Sequence, residues 1–500
     1  MKKVVIIGSG FASLSTACFL AKADWDVTIV EKQSMPGGRA RRLYAEGFVF
    51  DMGPSWYWMP EVFEDFFGAF GKKVSDYYEL IRLNPSYKVF YKDDKSLNIS
   101  AEYNQLRSQF EELEPGSGKA LDSFLEEAKY KYKVGIGKLV HKPGKSITEF
   151  WDWELMRGLF KLDVFASMAK HVRKYFKNPQ LIQLMEFPVL FLGARPEETP
   201  ALYSLMNYAD IKLGTWYPMG GMYKIIEGMV KLAESLGVKF RYDADVTSIE
   251  IKNGKATGLK LKTGEETSAD LIVCSADYHH AETKLLAPAY RDYSDKYWNE
   301  RVMAPSSLIF FIGLDCKLPG ATHHSLFFDA DFSKHSVEIY KNPAWPENPL
   351  FYLCTPSVTD TTVAPEGNEN LFILIPVAAG LEDSDAIREK YFHIAANRIQ
   401  ERMGVDIREH LLVKQSFAHR DFVKVYNAFK GNAYGLANTL LQTANLKPRM
   451  QSKKVSNLFY TGQLTVPGPG VPPSLISGKV VSGEIKKYIQ KQKINEFAKV

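Results

Sequence analysis

The chain has 500 residues, too many for one simple core, so two or three subregions are predicted. Hydrophobic residues at 45% and charged residues at 24% are ordinary for a folded soluble protein, and a net charge of only +5 gives no electrostatic support for nucleic-acid binding. The four cysteines, Cys18, Cys274, Cys316 and Cys354, form no CxxC pair and have no His at ligand spacing, so no metal site is predicted and a reducing compartment is implied. Lys2 and Lys3 precede an apolar run, but Gly8 interrupts it after Ile7, which reads as a strand rather than a secretory segment. No stretch approaches ~18 uninterrupted apolar residues, so no membrane-spanning helix is predicted.

In chain order, residues 3–7 (KVVII) read as a buried strand and Gly8 to Ser13 as a tight turn. Residues 13–23 read as a helix and 26–31 as a second strand, the first half of a doubly wound dinucleotide-binding fold. Residues 35–60, rich in Gly, Pro and aromatics, interrupt it, and a mainly helical stretch follows over 105–190. A glycine turn and an amphipathic helix occupy 219–236, with Ile225, Ile226, Met229, Val230, Ala233 and Leu236 on one face. Strands are predicted at 238–242, 245–252, 256–262 and 269–275, with Asn253-Gly254 as a hairpin turn. The β-rich runs 305–315 and 371–377 suggest a separate sheet; 457–462 reads as a strand and 473–490 as a helix.

The chemistry sits in three places. Gly8 permits a sharp strand-to-helix turn, and Gly10 lets a pyrophosphate approach the helix N-terminus. The third position of that motif, usually Gly, is Ser13, which predicts slightly looser packing or a hydroxyl offered to a phosphate. Glu31, 23 residues after Gly8, is placed to accept hydrogen bonds from ribose hydroxyls. NAD and FAD both fit these features. Pro36-Gly37-Gly38-Arg39 and Phe50-Asp51-Met52-Gly53-Pro54-Ser55 then spend the next stretch on a loop suited to the longer cofactor. Finally, Thr461-Gly462-Gln463 ends a strand, and Gly468-Pro469-Gly470-Val471-Pro472-Pro473 opens a helix whose N–H groups suit a flavin pyrimidine. Residues 451–500 hold no Cys or His, so the FAD is expected to be noncovalent.

With these motifs, FDMGPSWYWMP (50–60), YPMGGMYKIIEGM (217–229) and TGQLTVPGPGVPPSLISGK (461–479) make nearly the whole chain resemble the bacterial phytoene desaturases. The resemblance implies an α/β fold: an FAD-binding, Rossmann-like doubly wound domain assembled from three segments, a β-sheet substrate domain and a helical membrane-facing subdomain. The corresponding boundaries are 1–80, 216–285 and 451–500 for the cofactor segments, 81–215 for the helical and substrate region, and 286–450 for the substrate domain. Expected cofactor contacts are Gly8, Gly10, Ser13, Glu31, Lys32, Gly38, Arg39, Gly53, Pro54, Val246, Gly462, Gln463, Val471 and Pro472, with Val246 bracketing the adenine through its backbone.

No second GxGxxG opens a helix after a strand, so no dedicated NAD(P)H domain is predicted, and the electrons would come from the substrate. The lack of that domain points to reoxidation by a quinone or oxygen, and the resemblance implies a C40 or C30 polyene that loses hydride and proton from a CH2–CH2 unit. No catalytic base is assigned; His323, His324, Asp152 and Arg157 are the residues considered. The stripe Leu162, Phe165, Ala166, Ala169, Val172 and Phe176, with Lys161, Lys170, Arg173, Lys174 and Lys177, fits both a membrane surface and a core helix. Peripheral association with the inner face of the cell membrane, in a cytoplasmic protein, is the expectation. Rival readings are a carotenoid isomerase using reduced FAD, a noncatalytic isoprenoid carrier, and an amine oxidase with Trp56, Tyr57 and Trp58 as an aromatic cage.

Overall fold

The computed structural model describes residues 2–146, 149 and 166–497. Five parallel strands form one sheet, in the order Leu458–Tyr460, Leu271–Cys274, Lys3–Ile7, Asp26–Val30 and Lys239–Arg241. They come from three separated parts of the chain, as predicted. Both faces of this sheet are covered, which is why the strands read as continuous β-branched runs. Val4 and Ile6 pack into the core that holds the helices Phe11–Ala21 and Tyr223–Ser235, while Val5, Ile7 and Val30 pack the other way. That second side is closed by an antiparallel sheet of Val246–Lys252, Lys255–Leu261 and Glu266–Ser268. Its hairpin turns at Asn253 (φ 52°) and Gly254 (φ 70°), the left-handed pair that a two-residue turn between twisted strands requires.

A seven-stranded sheet runs in the order Leu411–Phe417, Ser306–Leu314, Glu369–Val377, Phe351–Cys354, His324–Phe328, Tyr87–Tyr91 and Ser96–Ile99. Only the pairing of His324–Phe328 with Tyr87–Tyr91 is parallel. This sheet therefore gathers strands from both sides of the second cofactor segment. Alternation along its strands sends Phe310, Ile312, Ile373 and Ile375 into a core shared with the helix Asp385–Met403. The alternate residues Ile309, Leu374 and Tyr352 face a large cavity.

The first helix starts at Phe11 rather than at residue 13, because Gly10 already serves as its N-cap. The loop expected over 35–60 contains a hairpin, Arg42–Ala45 with Phe48–Asp51. The proposed membrane-facing stripe is corrected in its described part. Met168, Val172 and Phe176 are 0% exposed and belong to the main core, so the helix Met168–Tyr175 turns its apolar face inward. Its basic residues face solvent, with Arg173 paired to Glu186. Leu162, Phe165 and Lys161 lie outside the described residues, as do Asp152 and Arg157. Among the described residues no helix is long and apolar enough to cross a membrane.

Candidate functional site

The strand-to-helix turn after Lys3–Ile7 builds the first wall of a cavity of about 690 Å³. Gly8 has φ +93°, a conformation that favours glycine, and donates its N–H to Val30 O at 2.8 Å. Gly10 caps the first helix without any side-chain hydrogen bond, so the N–H groups of that helix end are left bare. A Cβ on Gly10 would meet no atom within 4 Å. An open space over an uncapped helix N-terminus is the arrangement that holds a diphosphate.

The arginine loop closes on this turn from above. Gly37 donates to Ser9 O at 3.0 Å, and a Cβ on Gly38 (φ +56°) would lie 3.3 Å from Gly10 Cα. Gly53 presses on the loop so tightly that a Cβ there would stand 2.2 Å from Arg39 O. Arg39 reaches Asn432 O at 3.5 Å and lies over the Tyr426 ring at 5.3 Å, and its Nε is buried with no partner among the described residues. Burial draws Arg39 below its ordinary range, against the raising influence of Asp277; the same burial pushes Asp277 up, against Arg39.

Glu31 is 7% exposed. One of its oxygens accepts from Ser9 N–H at 2.8 Å and from the Ser9 hydroxyl at 2.6 Å, and the other accepts from Gln33 N–H at 2.9 Å. The carboxylate is thereby fixed on the cavity wall beside Ala244, Asp245 and Val246. Lys32 donates to Lys424 O at 2.9 Å, tying the first nucleotide segment to the helix His419–Tyr426.

At the far end, Gly462 (φ +113°) donates its N–H to the Ser477 hydroxyl at 3.1 Å. Gln463 donates to Asn432 Oδ1 at 3.3 Å, and Val471 opens the last helix, Val471–Phe497. Thirteen of the fourteen expected contact residues line this one cavity, from Gly8 through Pro472. Ser13 is the exception and is corrected. It is fully buried within the first helix and does not line the cavity, and its hydroxyl lacks a partner among the described residues. The close helix approach here is supplied elsewhere: a Cβ on Gly478 would stand 2.6 Å from both Ala12 O and Ser15 Cβ.

The cavity changes character along its length. Among its described lining residues the only carboxylates are Glu31, Asp245 and Asp277, all at the nucleotide end. Beyond Pro54 the walls are Trp56, Trp58, Met59, Ile136, Val140, Leu205, Met206, Ile309 and Leu374. Trp56 and Trp58 face the cavity with rings 5.2 Å apart. Tyr57, between them on extended chain, turns into the core and bonds Tyr78 at 3.0 Å, so the three aromatics form no cage.

His323 and His324 do not line the large cavity. His324 stacks on the back of Trp56 at 4.2 Å and shares a 2.7 Å hydrogen bond with the Tyr352 hydroxyl. Burial lowers both imidazoles, His323 to about 3, so they stay neutral and support the wall. Their ligand atoms and that of Cys354 lie within 4.8 Å of one another, a grouping the sequence spacing did not reveal. Tyr426, Asp277, Asn432 and Phe422 were also missed; none belongs to a motif, and only folding brings them to the loop.

The family model for flavin-containing amine oxidoreductases matches residues 11–485. The chain belongs to that family. This flavin oxidoreductase is 42% identical over 479 residues to a carotenoid 3,4-desaturase of Haloarcula japonica, covering 95% of this chain and 96% of the relative. It is 31% identical over 501 residues to a zeta-carotene-forming phytoene desaturase of Myxococcus xanthus, covering 99% and 96%. In fold it matches a crystal structure of an oxidoreductase from Methanosarcina mazei with a TM-score of 0.63 at 16% identity, covering 96% of this chain and 100% of the other. The oxidoreductase fold, its flavin and its three-part cofactor domain thus agree with the sequence reading.

Proposed function

We propose that this flavin oxidoreductase is a carotenoid desaturase that holds FAD noncovalently and removes hydride and proton from a CH2–CH2 unit of a phytoene-type C40 or C30 polyene. The observation that carries the reading is the single cavity with two ends, one built for a dinucleotide and one walled by tryptophans and aliphatic side chains. The relatives' names give the substrate class.

Gly8, Gly10, Gly38 and Arg39 would hold the diphosphate, Glu31 and Val246 the adenosine, and Gly462, Gln463 and Val471 the ring. When bound, the flavin supplies the acceptor for the hydride, and with it the two electrons, that the substrate loses. The chain's own part is to orient and to keep water out. Trp56, stacked on His324 and flanked by Tyr352, and Trp58, held through its indole N–H by the Thr215 hydroxyl, fix the polyene against Ile309 and Leu374. No described carboxylate lines this end, so among the described residues the substrate proton meets only neutral groups there, among them the hydroxyls of Tyr352, Tyr434 and Ser307. The same lack argues against an amine substrate, because an ammonium group would find no counter-ion among the described residues of the apolar end.

The final acceptor would be a quinone or oxygen. The protein would work from the cytoplasmic side at the inner face of the cell membrane, where such a polyene is dissolved. Supporting this, Leu441 is 78% exposed, with Leu446 and Val302 also exposed, on loops joined by the Val302–Gln442 hydrogen bond. Thr443 and Ala444 of the same segment line the cavity.

Expression in a host that accumulates phytoene tests the substrate. Products lighter by pairs of hydrogens, with absorption moved to longer wavelength, are expected. A product of unchanged mass would indicate isomerisation, and unchanged phytoene alongside bound flavin would exclude this polyene.

A further inference from the structure

Next to the closing loop of the cofactor cavity the chain inverts the usual order of burial. Leu446 is 47% exposed, while the adjacent Lys447 is only 4% exposed. The Lys447 ammonium is buried and has no hydrogen-bond partner among the described residues. Asn438 Oδ1 is in the same condition. A buried, unpaired ammonium costs several kcal/mol by order of magnitude unless a ligand compensates it. Burial draws Lys447 down to about 8, with no carboxylate among the described residues acting on it, so at neutral pH it still carries its charge.

Both polar atoms converge on one glycine. A Cβ on Gly468 would lie 3.3 Å from Asn438 Oδ1 and 3.4 Å from Lys447 Nζ. Gly468 has φ +140° and lines the cavity together with Asn438, Gly470 and Val471. Its missing side chain leaves the two polar groups against bare backbone at the end of the cavity opposite Glu31. A dinucleotide laid from Glu31 across Gly10 brings its electron-accepting ring to this end.

We propose that Lys447, with Asn438, is a positioning residue for the flavin ring: its fixed positive charge behind the Gly468 loop favours the negative charge that the ring gains on reduction, and so raises the midpoint potential. The proposal rests on the flavin reading above. It concerns the cofactor alone and holds for any substrate.

The test is the two-electron midpoint potential of the full-length, flavin-loaded protein, measured by dye equilibration without polyene. Lys447→Met should lower the potential by the equivalent of about tenfold in the ratio of oxidised to reduced flavin, about 30 mV for two electrons. Lys447→Arg should restore most of it, and flavin content should be unchanged in both. Should Lys447→Met fail to fold, Lys447→Gln is measured in the same way and is likewise expected to lower the potential. Potentials equal to wild type in the folded variants overturn the proposal and leave the flavin site standing. A wild-type protein that takes up no flavin overturns the reading beneath it instead.

Discussion

Gly53→Ala separates the arginine loop from the rest of the cofactor site. The added methyl would lie 2.2 Å from Arg39 O, 3.1 Å from Arg39 C and 3.9 Å from Ala40 N. A carbon rests against a carbonyl oxygen at about 3.3 Å, so the two segments must part by roughly 1 Å. Both colliding partners are backbone, and no rotamer change relieves them. Met52 N–H, donating to Arg41 O at 2.8 Å, anchors the same junction, so the movement passes into the loop and lifts Gly38 from Gly10. Overpacking of this kind costs about 1–3 kcal/mol, and if it falls on the bound geometry it weakens FAD by roughly ten- to a hundredfold. Titrating deflavinated protein with FAD and following flavin fluorescence measures this. Gly68→Ala, where an added methyl meets nothing within 4 Å, is the control and should bind as wild type. A Gly53→Ala protein with wild-type affinity would refute the argument that this contact positions the arginine loop.

Three other outcomes follow from the packing and the buried charges. Gly478→Ala forces the last helix off Ala12 and Ser15, and the urea midpoint should fall by the equivalent of about 1–3 kcal/mol, with an unchanged midpoint rejecting the close approach. Burial raises Asp210 from 3.8 to about 7, although Tyr87 and Thr215 donate to it. Between those values the folded state keeps a proton that the unfolded chain has released, so this group lowers stability as pH rises, by up to about 1.4 kcal/mol per pH unit. Asp210→Asn should flatten that part of the stability profile; a parallel profile would show that the carboxyl is ionised throughout. Leu441→Ser with Leu446→Ser should reduce flotation with anionic liposomes several-fold while flavin content holds, and undiminished flotation would remove this loop from the proposed membrane contact.

The legible parts of the sequence are those where local chemistry decides the structure. Val4 to Ile7 had to be a strand covered on both faces, and Gly8 had to turn, because few other residues tolerate its φ of +93°, while Gly10, at an ordinary φ of −75°, leaves the space over the helix end open. Gly38 (φ +56°) and Gly462 (φ +113°) were visible for the same reason, and Glu31 by its place just after the second strand. Ser13 misled because its place in the motif suggested a phosphate, whereas in the first helix it is buried in packing. Strands such as Phe351–Cys354 were invisible, since four residues buried on both faces show no alternation. Tyr426 and Asp277 are brought to Arg39 by contacts remote in sequence. The helix Met168–Tyr175 shows the limit of an amphipathic pattern: a core and a bilayer ask for the same stripe, and only the packing of Val172 and Phe176 distinguishes them.

Anaerobic mixing of the flavin-loaded protein with detergent-dispersed phytoene tests the central claim most directly. The flavin band near ~450 nm, a property of the cofactor, should bleach in step with the appearance of longer-wavelength polyene absorption, and admitting oxygen or a quinone should restore it. A flavin band that stays oxidised while the polyene is bound would contradict the account.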